Sequence, residues 1–369
     1  MHRLVYLCDW LPPDFGAVGQ YSLLFARERA AAGMEVVLGG LTSGADAVER
    51  ETVGAGALTV IRLHAASYDR ADFRARAWWT LATNGRLLWY LRRELAAADE
   101  ILFTGSPPFL LHFVTGINAV LGKKLTYRIT DFHPECLMAE LGRVPAPLAA
   151  FYRLTLALRR RVDGFEVLGE DQRRRLLEIG IAPERIQLRR DPSPVAIAPG
   201  TEPLPRPAEL GGGVCLLYSG NFGVAHEHAT FVEGYRRHHR AGSGRVALWL
   251  NATGKKADQV AAEITALGLP LARSRPVALE LLPRLLVTPD AHLITLRDEF
   301  VGYVLPSKVY GCVESGRPVL FVGSEASDVD LLCRQGLAQG GYLRADVGQP
   351  EQVVAALEAL AELQSQRVP

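Results

Sequence analysis

The feature that most constrains this chain is a repeating rhythm of short apolar runs, each followed by a glycine- or proline-containing turn and a helical pattern. Residues 3–8, 36–41, 58–63, 101–104, 125–129 and 164–168 form such runs in the first half. Continuous apolar runs of this length point to parallel strands covered on both faces, because a strand with one wet face would alternate. The second half repeats the layout with runs at 214–218, 246–250, 292–295 and 319–322. The reading is α/β, with two Rossmann-like doubly wound domains facing a cleft.

The boundary is set by composition. From Asp191 to Gly213 the chain places prolines at 192, 194, 199, 203, 205 and 207 and shows no periodic apolar face. Proline removes the backbone donors that a ladder or helix needs, so the stretch reads as an extended linker. The expected organisation is an N-terminal domain over 1–190, a linker over 191–213, a second domain over 214–350 and a terminal helix over 351–369.

The 369 residues carry 41 basic and 40 acidic side chains, a formal charge of +1, which argues against a dedicated nucleic-acid binder. Five scattered cysteines without a CxxC pair read as buried apolar groups in a reducing compartment. The nine histidines lack an HExxH pattern, so no zinc catalyst is expected. The opening residues reach charge and proline too soon for a signal peptide. The expectation is a cytoplasmic protein that needs no metal or other cofactor.

Ligands of doubly wound sheets bind beyond the carboxyl ends of the strands, which selects the loops after Cys8, Thr104, Ile129, Tyr218 and Thr295, with Ser106-Pro107-Pro108 after Thr104 shaping the cleft wall. In LRDEFVGYVLPSKVYGCVESGRPV, residues 307–315 read as a short helix with Ser307 as N-cap and Gly316 as its stop. Lys308 in its first turn opposes the helix dipole unless an anion is bound there, so a phosphate on Lys308 and free amides removes the conflict. A solvated surface lysine is the plain alternative. In YSGNFG, Gly220, Asn221 and Gly223 allow close approach of a ligand to the backbone ahead of a helix, and His226 and His228 follow as candidate phosphate donors. A tight structural turn fits the same residues. PPDFGAVG brings Gly16 and Gly19 after the first strand, as a ligand-approach loop or a structural turn. TDFHPE places Asp131, His133 and Glu135 at a strand end, as general acid–base groups or a salt-bridged loop.

Together these segments resemble retaining GT-B glycosyltransferases of the family 4 type, in the branch with a PSK loop. LPPDFGAVGQYSLLFARERAAAGMEVVLGG, TGSPPF and the aspartate of TDFHPE are similar to the acceptor-side domain of that family. LLYSGNFG and VLPSKVYGCVESGRPVLFVG are similar to its nucleotide-sugar domain. The resemblance implies hexosyl transfer from a nucleotide-diphosphate sugar to an acceptor hydroxyl of a glycan, lipid-linked or small-molecule acceptor, with retention of configuration and without a metal. It implies donor binding by Gly220, Asn221, Gly223, Gly302, Ser307, Lys308 and Tyr310, with Asp131 and Glu299 as catalytic residues. Gly16, Gly19 and His133 would form the acceptor-side loop. The terminal helix would pack back toward the N-terminal domain. The chain departs from the family pattern at Val224, where Arg or Lys is common, and at Gly311, where Glu is common. Glu299, Lys255, Lys256, Arg189 and Arg190 are candidate replacements. A nucleotide-sugar epimerase and a non-catalytic nucleotide-sugar-binding protein are the competing readings.

Residues 73–93 concentrate Trp78, Trp79, Trp89 and Tyr90 among Arg74, Arg76, Arg86, Arg92 and Arg93. Two readings fit: a helix lying on an anionic membrane surface, or an amphipathic helix packing its aromatics onto the sheet. The break at Gly85 favours packing. Arg159, Arg160 and Arg161 form a second basic cluster, readable as a solvated helix face.

Overall fold

The computed structural model describes residues 1–14, 16–66 and 73–365, with the side chains of 73–77 and 364–365 left aside. The chain divides into two units, Met1–Arg190 and Asp191–Pro369.

The first unit holds an eight-stranded sheet. Its strands are β1 (Arg3–Trp10), β2 (Glu35–Thr42), β3 (Ala47–Val53), β4 (Gly56–His64), β5 (Glu100–Thr104), β6 (Lys124–Ile129), β7 (Gly164–Val167) and β8 (Ile186–Leu188). They are ordered β3-β4-β2-β1-β5-β6-β7-β8, and all neighbours are parallel except β3 against β4. Residues Leu4–Cys8 are fully buried, as the uninterrupted apolar run requires. The Ala17–Ala31 helix packs across β1, β2 and β4, burying Tyr21, Phe25, Ala26 and Ala30 against Leu38, Leu58 and Val60. Each such large side chain contributes roughly 1.5–3 kcal/mol.

The second unit contains β9 (Val214–Ser219), β10 (Val246–Asn251), β11 (Leu271–Ser274), β12 (Ala291–Thr295), β13 (Val319–Val322) and β14 (Tyr342–Ala345). All are parallel, in the order β11-β10-β9-β12-β13-β14. The order runs outward from β9 in one direction and restarts at β12 in the other, the doubly wound pattern with its switch between those two strands.

Two boundary segments are held by their own packing. The 191–213 stretch is pinned to the second unit: Leu204 and Leu210 pack on Cys215, Leu217, Trp249 and Leu285, and Arg206 holds Asp290 through two bonds of 2.8 and 2.7 Å. Proline denies this stretch a ladder but leaves the apolar residues between free to be buried. The Pro350–Ser365 helix packs within the second unit. Val353, Ala356, Leu357, Leu360 and Ala361 are buried in the core of the second unit, against the Ala229–Ala241 helix and β14. A Cβ on Gly234 would lie 2.5 Å from Val353 Cβ, so only glycine permits this approach. The buried His238 lies 2.6 Å from Glu358 and fastens the same contact.

Candidate functional site

At the switch point of the second unit, the loops after β9 and β12 open side by side. The β9 loop begins with Gly220 at φ +111°, a conformation that favours glycine, and its N–H donates to Asn251 O at 3.0 Å. The Tyr218 hydroxyl donates to Asn221 O at 3.1 Å, fixing the turn from beneath. The helix that should follow starts only at Ala229, six residues beyond Gly223. Its first turn is already capped, because Glu227 Oε1 accepts from Thr230 N at 3.0 Å. The glycine turn therefore offers loop backbone rather than a helix N-terminus, a correction to the sequence reading.

Lys308 opens the two-turn Lys308–Glu314 helix. Ser307 does not cap it: its backbone is already helical (φ −57°, ψ −21°) and its side chain makes no capping bond. The Lys308 stem runs beside Gly220, where a Cβ would meet Lys308 Cε at 3.9 Å. The ammonium sits 3.3 Å from the centroid of the Tyr218 ring. Nζ is buried, and among the described residues it has no hydrogen-bond partner. Burial pushes its pKa down to about 7. A cation over an aromatic face gains some attraction, but three N–H donors are left unsatisfied, which an anion would correct.

Among the described residues no carboxylate forms an ion pair with this ammonium. His226 lies edge-on to Tyr218 with ring centroids 5.8 Å apart, and its Nδ1 is 2.8 Å from Thr295 O. Burial, then the Lys308 charge, pushes the His226 pKa down to about 3, so the imidazole is neutral and donates from Nδ1 to the carbonyl. With its one N–H committed to Thr295 O, the neutral ring has none left to donate to a phosphate, and burial also sets aside an exposed helix-start role. Tyr310 is buried inside the short helix, and Gly302 is a buried turn residue at φ +77°. Gly311 packs toward Leu286: a Cβ there would approach Leu286 Cδ1 to 3.1 Å, so a larger residue requires the leucine to shift.

A second cation, missed by sequence reasoning, stands on the β12 loop. Arg297 N donates to Ala225 O at 2.9 Å, and its guanidinium reaches Val224 O at 3.4 Å and Glu299 at 3.5 Å. The positive charge absent at Val224 is thus present beside it, on the neighbouring loop. Glu299 is exposed and engages this arginine. Burial, then the Lys256 charge, lowers the His228 pKa. Asn221 reaches toward Gly254, whose Cβ position is 3.5 Å from Asn221 Oδ1. Beyond it a cavity of about 480 Å³ opens at the ends of β10 and β11, lined by Thr253, Gly254, Asp258, Arg273, Ser274 and Arg275.

The remaining predicted residues belong to the first unit, at the corresponding ends of β1 and β6. Gly19 faces its own protein: a Cβ would lie 1.7 Å from Trp10 O, so glycine is needed for helix-to-strand packing and not for a ligand. Gly16 has ordinary space and precedes the helix in an extended conformation. Asp131 follows β6, and burial raises its carboxyl pKa while His133 acts in the opposite direction. His133 is exposed. Glu135 is structural, ion-paired with the fully buried Arg159, whose Nη2 also donates to His133 O at 3.0 Å. Arg159 therefore braces the loop from inside and is not part of a solvated basic face. Among the described residues, no three His, Cys, Asp or Glu side chains converge as a metal site.

No protein-family model matches this chain, and no curated protein matches it. Solved structures do. The crystal structure of Anabaena HepE in complex with UDP and glucose is similar at 12% identity over 100% of this chain and 95% of that one, with a TM-score of 0.62. The apo structure of OtsA matches at 13% identity over 100% and 93%, TM-score 0.67. WaaG, described as a glycosyltransferase involved in lipopolysaccharide biosynthesis, matches at 15% identity over 97% and 90%, TM-score 0.59. The fold is GT-B. Each unit of this GT-B chain carries its candidate residues at the carboxyl ends of its own sheet, the location at which doubly wound sheets bind ligands.

Proposed function

We propose that the chain is a retaining, family 4-like hexosyltransferase that moves a sugar from a nucleotide-diphosphate sugar to a hydroxyl of a glycan or lipid-linked glycan. The observation that carries this reading is the buried, unpartnered Lys308 ammonium against the glycine turn at the switch point of the second unit. Its chemistry calls for an anion, and HepE, of the same fold, is described bound to UDP-glucose.

In this reading Lys308 and the backbone of Gly220–Gly223 hold one phosphate of the donor, and Arg297 moves from Glu299 to the other. The cavity beside Gly254 seats the nucleoside. The acceptor oxygen forms its bond to the anomeric carbon on the face from which the diphosphate departs. The bond from that carbon to the phosphate oxygen breaks, and the hydroxyl proton passes to the departing diphosphate. Lys308 and Arg297 stabilise the negative charge that develops on the leaving group, an electrostatic task that needs no metal. Asp131, with His133 beside it, orients the acceptor hydroxyl.

The test incubates purified protein with UDP-, GDP-, ADP- and dTDP-sugars and follows the products by NMR. Slow hydrolysis of one donor with retained anomeric configuration supports the transferase. An isomerised donor identifies an epimerase, and binding without turnover a sugar-nucleotide binder; either result overturns the reading.

A further inference from the structure

The Phe73–Tyr90 helix buries leucines on one face and turns large aromatic side chains outward on another. Its inward face carries Thr80 and Asn84 together with Leu87 and Leu88, and Asn84 Nδ2 donates to Pro108 O at 2.9 Å. Outward stand Trp78, 74% exposed, and Trp89, 70% exposed, with Leu81 and Tyr90 beside them. Trp78 and Trp89 are eleven residues apart, three helical turns, so they share one face about 16 Å long. Gly85 lies between them on that face, and nothing approaches within 4 Å of where its Cβ would be. Of the described aromatic side chains in this segment, Trp79 turns inward, stacking on Trp10 with ring centroids 6.2 Å apart. The packing of the aromatics onto the sheet, favoured from the sequence, is thus corrected for Trp78, Trp89 and Tyr90: the inward-facing positions at this spacing fall on Thr80, Asn84 and Leu87.

Charge selects what covers this face. Residues 73–93 hold five arginines and no acidic residue. Arg92 lies 4.3 Å over the Trp89 ring and is exposed together with Arg93, directly after the aromatic face. Arg86 is engaged by Asp46 at 2.7 Å, and the side chains of Arg74 and Arg76 lie outside the described residues. Exposed tryptophans flanked by arginines suit the boundary of a bilayer, where indole rings enter the headgroup layer and guanidinium groups meet anionic lipid. Among the described residues no helix is long and apolar enough to cross a membrane, so the helix would lie on the surface.

We propose that this helix docks the first unit onto an anionic phospholipid surface through Trp78 and Trp89. The proposal does not depend on sugar transfer, because lipid binding is read without turnover. Its test sediments the full chain with vesicles of phosphatidylcholine alone and of phosphatidylcholine mixed with phosphatidylglycerol. Binding to the mixed vesicles, weakened by salt and accompanied by a blue shift of tryptophan emission, is the expected result. Trp78→Ala combined with Trp89→Ala should lose about tenfold or more of that binding with an unchanged melting temperature, since both rings are exposed. Arg92→Glu with Arg93→Glu should weaken binding to the anionic vesicles alone. No vesicle binding by the wild type, or full binding by the double tryptophan variant, overturns the proposal. So does a concentration-dependent dimer that the same variant abolishes in the absence of lipid affinity.

Discussion

The Lys308 ammonium lies 3.3 Å from the centre of the Tyr218 ring, with the partner-free Nζ held in the interior while its stem remains partly open to solvent. Folding alone gives no reason to bury a cation there. An apolar side chain of the same length would fill the space without leaving donors unsatisfied, so the arrangement is a stability defect that an anionic ligand relieves.

Replacing Lys308 by methionine should therefore separate stability from binding. The ligand-free variant is expected to melt higher, by the equivalent of about 1–3 kcal/mol, the penalty of an unsatisfied buried polar group. Its affinity for a nucleoside diphosphate should fall by roughly the same scale. Differential scanning calorimetry and titration calorimetry on the two proteins check this. A lower melting temperature with unchanged nucleotide affinity would make the lysine structural.

The same group predicts a pH dependence. In the free protein the Lys308 pKa is lowered from 10.5 to about 7 by burial, and a bound phosphate should return it toward its ordinary value. Binding between those limits then requires proton uptake. Affinity is flat with respect to this group below pH 7 and declines as pH rises above it, by up to about tenfold per unit. Calorimetric titrations in buffers of different ionisation enthalpy should detect close to one proton taken up per nucleotide at pH 8.5, and none with Lys308→Met. Equal proton uptake by both proteins would sink the assignment.

Much of this architecture is legible in the sequence because its central strands are buried on both faces. Runs such as RLVYLC and VCLLYS have no other economical reading. The four strands that escape notice are β3, β8, β11 and β14, all at or beside a sheet edge. β3 is almost wholly exposed and β8 has three residues, so neither carries an apolar signature. The site divides in the same way. Lys308 is visible because it opposes a helix dipole, whereas Arg297 is a single basic residue two positions after a strand and acquires meaning only when the fold lays its loop against Val224. The distance from Gly223 to the next helix is hidden for a related reason, since Val224–His228 has neither the periodicity of a helix nor a breaker within it. The outward tryptophans depend on which face of their helix Asn84 and Thr80 occupy, and composition does not reveal that.

Arg297 and Glu299 can be tested against each other. Arg297→Gln should weaken nucleoside diphosphate binding by about tenfold to a hundredfold, the scale of a lost charged hydrogen bond, with a much smaller effect on the monophosphate. Glu299→Gln should leave diphosphate affinity unchanged or higher, because it releases the guanidinium. If Glu299 also acts on the sugar, turnover falls in that variant while affinity holds. Equal losses for mono- and diphosphate in Arg297→Gln would remove the arginine from the phosphate site.

Asp131 permits a test confined to the first unit. Burial raises its carboxyl pKa in the fold, so the charged form is disfavoured there. Since the folded value exceeds the unfolded one, the stability this group lends is complete below about pH 4 and disappears as pH rises through the folded pKa. Asp131→Asn keeps the shape, removes the charge, and should raise the melting temperature at neutral pH, with the difference closing in acid. If Asp131 orients the acceptor hydroxyl, the same substitution lowers turnover with acceptor by about a hundredfold while donor affinity and donor hydrolysis persist. A variant that gains stability and keeps wild-type turnover would show that the buried carboxylate has no part in the chemistry.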